Sequence, residues 1–221
     1  MFKRSFIFII LIAFLALPFI WAQETKKKEA AKPEESKAVA EKPTDENDQY
    51  DFRKVRWGMT PDEVMKQEEG LKREDGKLAC WLYKNVEVAG YKTQVVYQFY
   101  FNKLVLAYYQ IKAKHAVENQ YIDDYRSLEK VLEMKYGKPE HSYISWKRDL
   151  YKDEPDRYGF AVSIGDLVYE SKWHKNTYSG KTDIFLILEG SNYKIDHSIR
   201  YIAPDFKDIE NERKKKLAGD L

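Results

Sequence analysis

Hydrophobic and polar residues follow different periods along this chain, and the switches between them mark its elements. The first stretch has no period. From Phe6 to Trp21 the run is almost unbroken apolar, preceded by Lys3 and Arg4 and followed by the small Ala22. A basic start, an apolar stretch and a small residue at a cut point predict a secretory signal peptide over 1–22. An uncleaved anchor is the alternative. The run is slightly short of the about 17–25 residues that span a bilayer, while Ile20 is bulkier than the usual residue before a cut. No cysteine lies near Ala22, so a lipid-modified N-terminus is excluded.

Residues 23–49 are mostly Lys, Glu, Ala and Pro, with nothing apolar larger than Val39. Such a segment cannot bury enough surface to offset its chain entropy, which predicts a disordered tether. Periodic order begins at Tyr50. Thr60-Pro61-Asp62-Glu63 predicts a capped helix start, with Pro61 at the first position, a Thr-x-x-Glu capping box, and Met59 and Val64 as a hydrophobic staple. The helix is expected to end near Glu69, before Gly70.

Period two then takes over. Leu78–Tyr83 and Val86–Val88 read as short strands, and Val95–Ile111 as a hairpin around Asn102-Lys103 that pairs Phe101 with Leu104 and Tyr97 with Tyr108. Its second face is aromatic enough to predict partial cover by another element. Period 3.6 returns over Gln120–Lys135, where Tyr121, Ile122, Tyr125, Leu128, Val131 and Leu132 form a stripe closed by Gly137 and Pro139. Strands follow around Tyr143–Trp146, Phe160–Ile164 and Leu167–Trp173, with a polar loop over Lys147–Arg157. A last hairpin sets Leu188 opposite Tyr193 across a four-residue turn, with Ile195, His197, Ile199 and Tyr201 on its apolar face. A charged tail over 204–221 has helical character.

The order predicts an α+β domain over 50–203: an antiparallel sheet with helices packed on one face. It also fits two successive helix-plus-sheet units.

Charge narrows the function. Lys and Arg number 38 against 36 acids, and loss of Lys3 and Arg4 on processing leaves 36 of each. A mature chain of zero formal charge has no global field for nucleic acid. Membrane contact is expected only through the N-terminal segment if it stays; Lys214, Lys215 and Lys216 read as a solvated terminus. The single cysteine, Cys80, permits no intrachain disulfide and reads as a small buried hydrophobe.

Catalytic patterns are sparse. His115, His141, His174 and His197 have no metal-ligand spacing, and neither a metal nor a cofactor is expected. His197 falls on an inner strand face and is expected to be hydrogen-bonded there. Asp149, Asp153, Glu154 and Asp156 are interleaved with Lys and Arg, as in a solvated loop. A hydrolase needs His141 or His174 beside those acids. Aromatics are the excess, with 17 tyrosines. Tyr100, Tyr108, Tyr109, Trp173 and Tyr178 are the candidate platform for a partner chain or for sugar rings.

Trp57-Gly58-Met59-Thr60-Pro61-Asp62-Glu63-Val64, followed by antiparallel strands, resembles the helix entry of small bacterial envelope domains. Among these are the outer-membrane assembly lipoproteins and the β-lactamase inhibitor proteins, which share a Gly-Met-x-x-x-x-Val opening. The resemblance implies a binding or scaffold module without catalytic residues; the missing lipidation cysteine departs from the lipoproteins. Tyr136-Gly137-Lys138-Pro139 looks like what many exported bacterial domains carry. The resulting expectation is an exported, periplasmic or secreted, non-enzymatic binding or assembly module of the cell envelope. A binder of cell-wall glycan or a small ligand is the alternative.

Overall fold

A computed structural model describes residues 49–219, so the expected signal peptide and nearly all of the tether lie outside the described residues. The first helix, α1 (Pro61–Gln67), begins as its sequence dictates. Thr60 Oγ1 accepts from the Glu63 N–H at 3.4 Å, and the Glu63 carboxylate accepts from the Thr60 N–H at 2.8 Å. The helix stops short of Glu69 because Glu68 leaves it in extended conformation to pair with Arg53 (2.6 Å) and Lys84 (2.7 Å).

After α1 come β1 (Lys72–Gly76), β2 (Ala79–Val88), β3 (Tyr91–Tyr100) and β4 (Lys103–Ile111). They are followed by α2 (Asn119–Tyr136), β5 (His141–Trp146), α3 (Tyr158–Ser163), β6 (Leu167–Thr177), β7 (Gly180–Ser191), β8 (Lys194–Ile202) and α4 (Phe206–Gly219). The eight strands among the described residues form one antiparallel sheet in the order β1-β2-β3-β4-β8-β7-β6-β5. The α+β antiparallel architecture expected from the sequence is the one that forms. Each half begins with a helix and contributes four strands, and the last strands of the halves, β4 and β8, meet at the centre.

Several local expectations are corrected. The β3–β4 turn is Phe101-Asn102, both at positive φ, one residue earlier than expected. Phe99 faces Leu104, but Tyr97 faces Ala107, because the register shifts by one at a bulge holding Val105. Leu104 and Val105 are both fully buried, on opposite faces, and a run apolar on both sides does not announce its register. The β7–β8 turn is also two residues long, Asn192-Tyr193, which sets Leu188 opposite His197 rather than Tyr193. An even-numbered slip leaves every side chain on its own face, so alternation is blind to it.

The two short strands expected over 78–88 are one strand, β2. The apolar run at 160–164 is not a strand; Phe160 to Ser163 lie in α3, since a run this short suits either element. β1, with no apolar alternation, had no sequence signal. In α2, Ile122, Tyr125, Leu128 and Leu132 are buried as expected, whereas Val131 is 39% exposed.

One face of the sheet is sealed. Leu82, Val95, Tyr97, Phe99, Trp173, Leu186, Leu188 and Ile199 form a continuous core with Val64 of α1, the α2 stripe, and Ala161 and Val162 of α3. Two glycines permit the close approach of α3. A Cβ on Gly159 would stand 2.2 Å from the Glu118 carbonyl carbon, and one on Gly190 would stand 2.3 Å from the Val162 carbonyl oxygen. The chain entering the domain is pinned to the second half. Asp51 accepts hydrogen bonds from the Trp57 N–H (2.8 Å) and the Ser179 N–H (2.7 Å), and Trp57 Nε1–H donates to Thr182 Oγ1 (2.8 Å).

The expectation of helices on one face holds for α1, α2 and α3. The fourth helix lies against the other face. Phe206 stacks on Tyr100 with ring centroids 6.2 Å apart, and the Arg213 guanidinium sits 4.3 Å from the Tyr100 ring centroid. This is the cover predicted for the second face of the β3–β4 hairpin, and it draws the charged tail into the domain.

Candidate functional site

Directly opposed residues in an antiparallel sheet share a face, so the register maps the side away from α1–α3. One row runs Tyr83, Val96, Tyr108, Arg200, Phe185, Lys172, His141. The next runs Asn85, Gln94, Gln110, Ser198, Ile187, Glu170, Tyr143. Tyr83, Tyr108 and Phe185 are half-buried, and Tyr143 is 49% exposed. These are large aromatic side chains, the tyrosines with polar ends, on a face only partly covered by α4.

Arg200 sits at the middle of this face, on the central strand pair. Its guanidinium donates to Glu189 Oε1 (2.6 Å) and to Ser198 Oγ (3.0 Å), and lies 4.0 Å from Asp196. Gln110 Nε2 donates to Asp196 Oδ1 (3.1 Å) and the His197 carbonyl (3.2 Å). Lys172 pairs with Asp183 (3.1 Å) and lies 5.3 Å from the Phe185 ring centroid. Burial, reinforced by the nearby Asp196 charge, pushes the Tyr108 hydroxyl up to about 12. Burial and Glu170, which accepts from Tyr143 Oη–H at 2.7 Å, do the same for Tyr143. Both phenols therefore stay neutral donors at physiological pH. The face thus presents aromatic surface around charges already neutralised in place, an arrangement suited to burial against another surface.

The five aromatics singled out from the sequence do not assemble into a platform. Tyr109 and Trp173 point to the sealed face, where Trp173 is 2% exposed and donates from Nε1 to the Gly137 carbonyl at 2.8 Å. Tyr100 is on the open face but lies beneath α4. Tyr178 stands at the tip of the β6–β7 hairpin, its ring 3.7 Å below the Arg56 guanidinium. Of the five, only Tyr108 belongs to the open rows. The residues missed were Tyr83, Phe185, Tyr143 and Arg200. Their signal was phase: Phe185 lies between the inward Ile184 and Leu186 of β7, and Arg200 between the inward Ile199 and Tyr201 of β8.

The catalytic alternatives find other geometry. His174 pairs with Glu140 (3.3 Å), while Asp149 pairs with Lys152 (3.2 Å) and Glu154 with Arg157 (3.4 Å). Cys80 is buried, and burial raises its thiol to about 11, far from a reactive thiolate. His197 is buried as expected, but neither ring nitrogen has a hydrogen-bond partner among the described residues. Two cavities of about 330 Å³ each lie at hairpin ends, beside Phe101-Asn102 and beside Asn192-Tyr193, away from the centre of the open face. Among the described residues, no group of three or more His, Cys, Asp or Glu side chains is placed to hold a metal ion.

Compared with known protein families, characterised proteins and solved structures, the chain has no match.

Proposed function

We propose that this chain is an exported, non-enzymatic binding or assembly module of the cell envelope that holds a protein partner on the open face of its sheet. The observation carrying the proposal is the contrast between the two faces. One is sealed by three helices over a continuous core, and the other leaves the Tyr83–Tyr108–Phe185 row half-exposed. The apolar N-terminal stretch and the likeness of Trp57–Val64 to envelope domains support placement outside the cytoplasm. A protein partner suits the face better than a sugar. The amides nearest the centre of the face are already engaged, Gln98 with Tyr100 and Gln110 with Asp196, and the two cavities lie at hairpin ends.

Capture from an extract of the native envelope tests this. The full chain is expected to recover a partner, and Phe185→Ala or Tyr83→Ala to weaken recovery by about thirtyfold, the effect of losing a hot-spot aromatic worth about 2 kcal/mol. Met134→Ala, at an 81% exposed position on α2, is expected to leave it unchanged. Equal recovery by all variants, or recovery of nothing above background, would refute the proposal.

A further inference from the structure

The cavity beside Asn192-Tyr193 lies between the β7–β8 turn, α3 and the loop after β5. It is lined by Arg148, Tyr151, Phe160, Ile164, Asn192 and Tyr193, and its volume of about 330 Å³ falls within the range of small-ligand sites. Tyr193 holds the second turn position at a φ of 61°, after Asn192 at 51°. A two-residue hairpin turn of this kind favours Asn followed by Gly, because a side chain is strained at positive φ. Tyr193 is also 76% exposed, so burial does not offset that strain. Its ring instead helps to wall the cavity, 6.2 Å from the Phe160 ring, which meets Tyr151 edge-on at 5.5 Å. The Arg157 guanidinium braces the last two, 4.4 Å from the Tyr151 centroid and 5.5 Å from that of Phe160.

Of the lining residues, Arg148 alone is charged. Its Nε–H donates to Asp166 Oδ1 at 2.7 Å, and Asp166 is 2% exposed. The backbone of Asp166 is fixed as well. Its N–H donates to the Ala161 carbonyl (2.9 Å), and its carbonyl accepts from the Lys147 N–H (2.7 Å). Asp166 Oδ2 has no hydrogen-bond partner among the described residues, so the carboxylate holds the guanidinium by Nε without engaging it as a fork. An arginine carries five N–H donors in a rigid plane, and anchoring at Nε leaves the two-pronged Nη edge for a second carboxylate. The Arg148 side chain is 62% exposed, which keeps that edge accessible.

We propose that this cavity binds an aromatic carboxylate, with the acid on the Arg148 Nη groups and the ring among Tyr151, Phe160 and Tyr193. A phosphate suits the site less. Asp166 already offsets the Arg148 charge, and a flat, singly charged group matches the remaining fork. Walls made of rings favour a planar body through offset and edge contacts. A free small acid and the last residue of a peptide chain both present this chemistry. Binding here does not depend on the role proposed for the open face.

Ligand-observed NMR on the full chain tests the site. Hydrocinnamate is expected to bind with a dissociation constant of about 1 mM, as suits a ligand of its size. Hydrocinnamamide, which lacks the charge, is expected to bind at least about tenfold more weakly. N-acetylglycylphenylalanine separates the two sources: tighter binding than hydrocinnamate points to a chain terminus, and weaker binding to a free acid. Tyr193→Gly removes the ring while glycine suits the positive φ, so the fold is kept and hydrocinnamate binding is expected to fall at least about fivefold. Arg148→Lys keeps a cation beside Asp166 without the fork, and is expected to weaken the acid about tenfold while leaving the amide unchanged. The N-terminal apolar segment is common to every variant, so the differences read the cavity. No binding of hydrocinnamate at about tenfold the expected constant, equal binding of acid and amide, or binding unchanged in either variant would each overturn the proposal.

Discussion

Trp173→Ala is expected to lower the free energy of unfolding by about 3–5 kcal/mol, as large-to-small changes of buried aromatics do. Trp173 is among the largest fully buried side chains and lies in the core between the sheet and α2. Its indole N–H also satisfies the Gly137 carbonyl just past the end of α2. Truncation therefore opens a cavity and leaves a helix-terminal carbonyl without its donor, and the two costs act on the same helix–sheet contact. Denaturant unfolding, read as a lower midpoint at unchanged slope, measures the effect. A change under 1 kcal/mol would mean that the ring is not packed as described. Most small domains have only about 5–15 kcal/mol to lose, so this variant separates a core tryptophan from the ligand-stacking one that composition suggested.

Acid sensitivity is the second large effect. His197 is buried, its ring nitrogens lack partners among the described residues, and burial depresses its pKa from 6.5 to about 4. The Asp124 carboxylate raises it and His115 lowers it, both weaker than burial. Between those pH values the unfolded chain binds a proton that the folded chain refuses, so stability falls as pH falls. The contribution is intact above about 6.5 and is lost progressively down to about 4, for a total of about 3 kcal/mol. His197→Leu removes the titrating group from a site that gives it no hydrogen bond. The prediction is a stability–pH profile flatter by that amount between pH 6.5 and 4, read from urea unfolding at a series of pH values. An unchanged slope in His197→Leu would show that other groups set the acid limb.

The same histidine shows where sequence reasoning stops. Alternation in β8 places it correctly on the inner face with Ile195, Ile199 and Tyr201, but period two cannot report whether a buried ring finds a partner. Local capping was fully legible at α1, because Thr60, Pro61 and Glu63 act only on one another. So was the end of α2, where Gly137 takes a positive φ of 80° that residues with a side chain disfavour. Hairpin registers were legible only modulo two residues. The turns depend on Asn102 and Asn192 tolerating positive φ beside an aromatic residue, and the bulge at Val105 depends on cover from both faces. The candidate platform failed for a related reason. Aromatic content says nothing about phase, and Tyr108 and Tyr109, adjacent in the chain, lie on opposite faces. β1 was invisible because an edge strand protected by charge has the composition of a loop.

Photo-crosslinking of the full chain in its native cells tests the central claim most directly. A photoreactive phenylalanine analogue is placed at Phe185 on the open face or at Met134 on the exposed side of α2. Partner docking on the open face predicts a discrete covalent adduct from position 185 and none from 134. An adduct from 134 with none from 185 would contradict it.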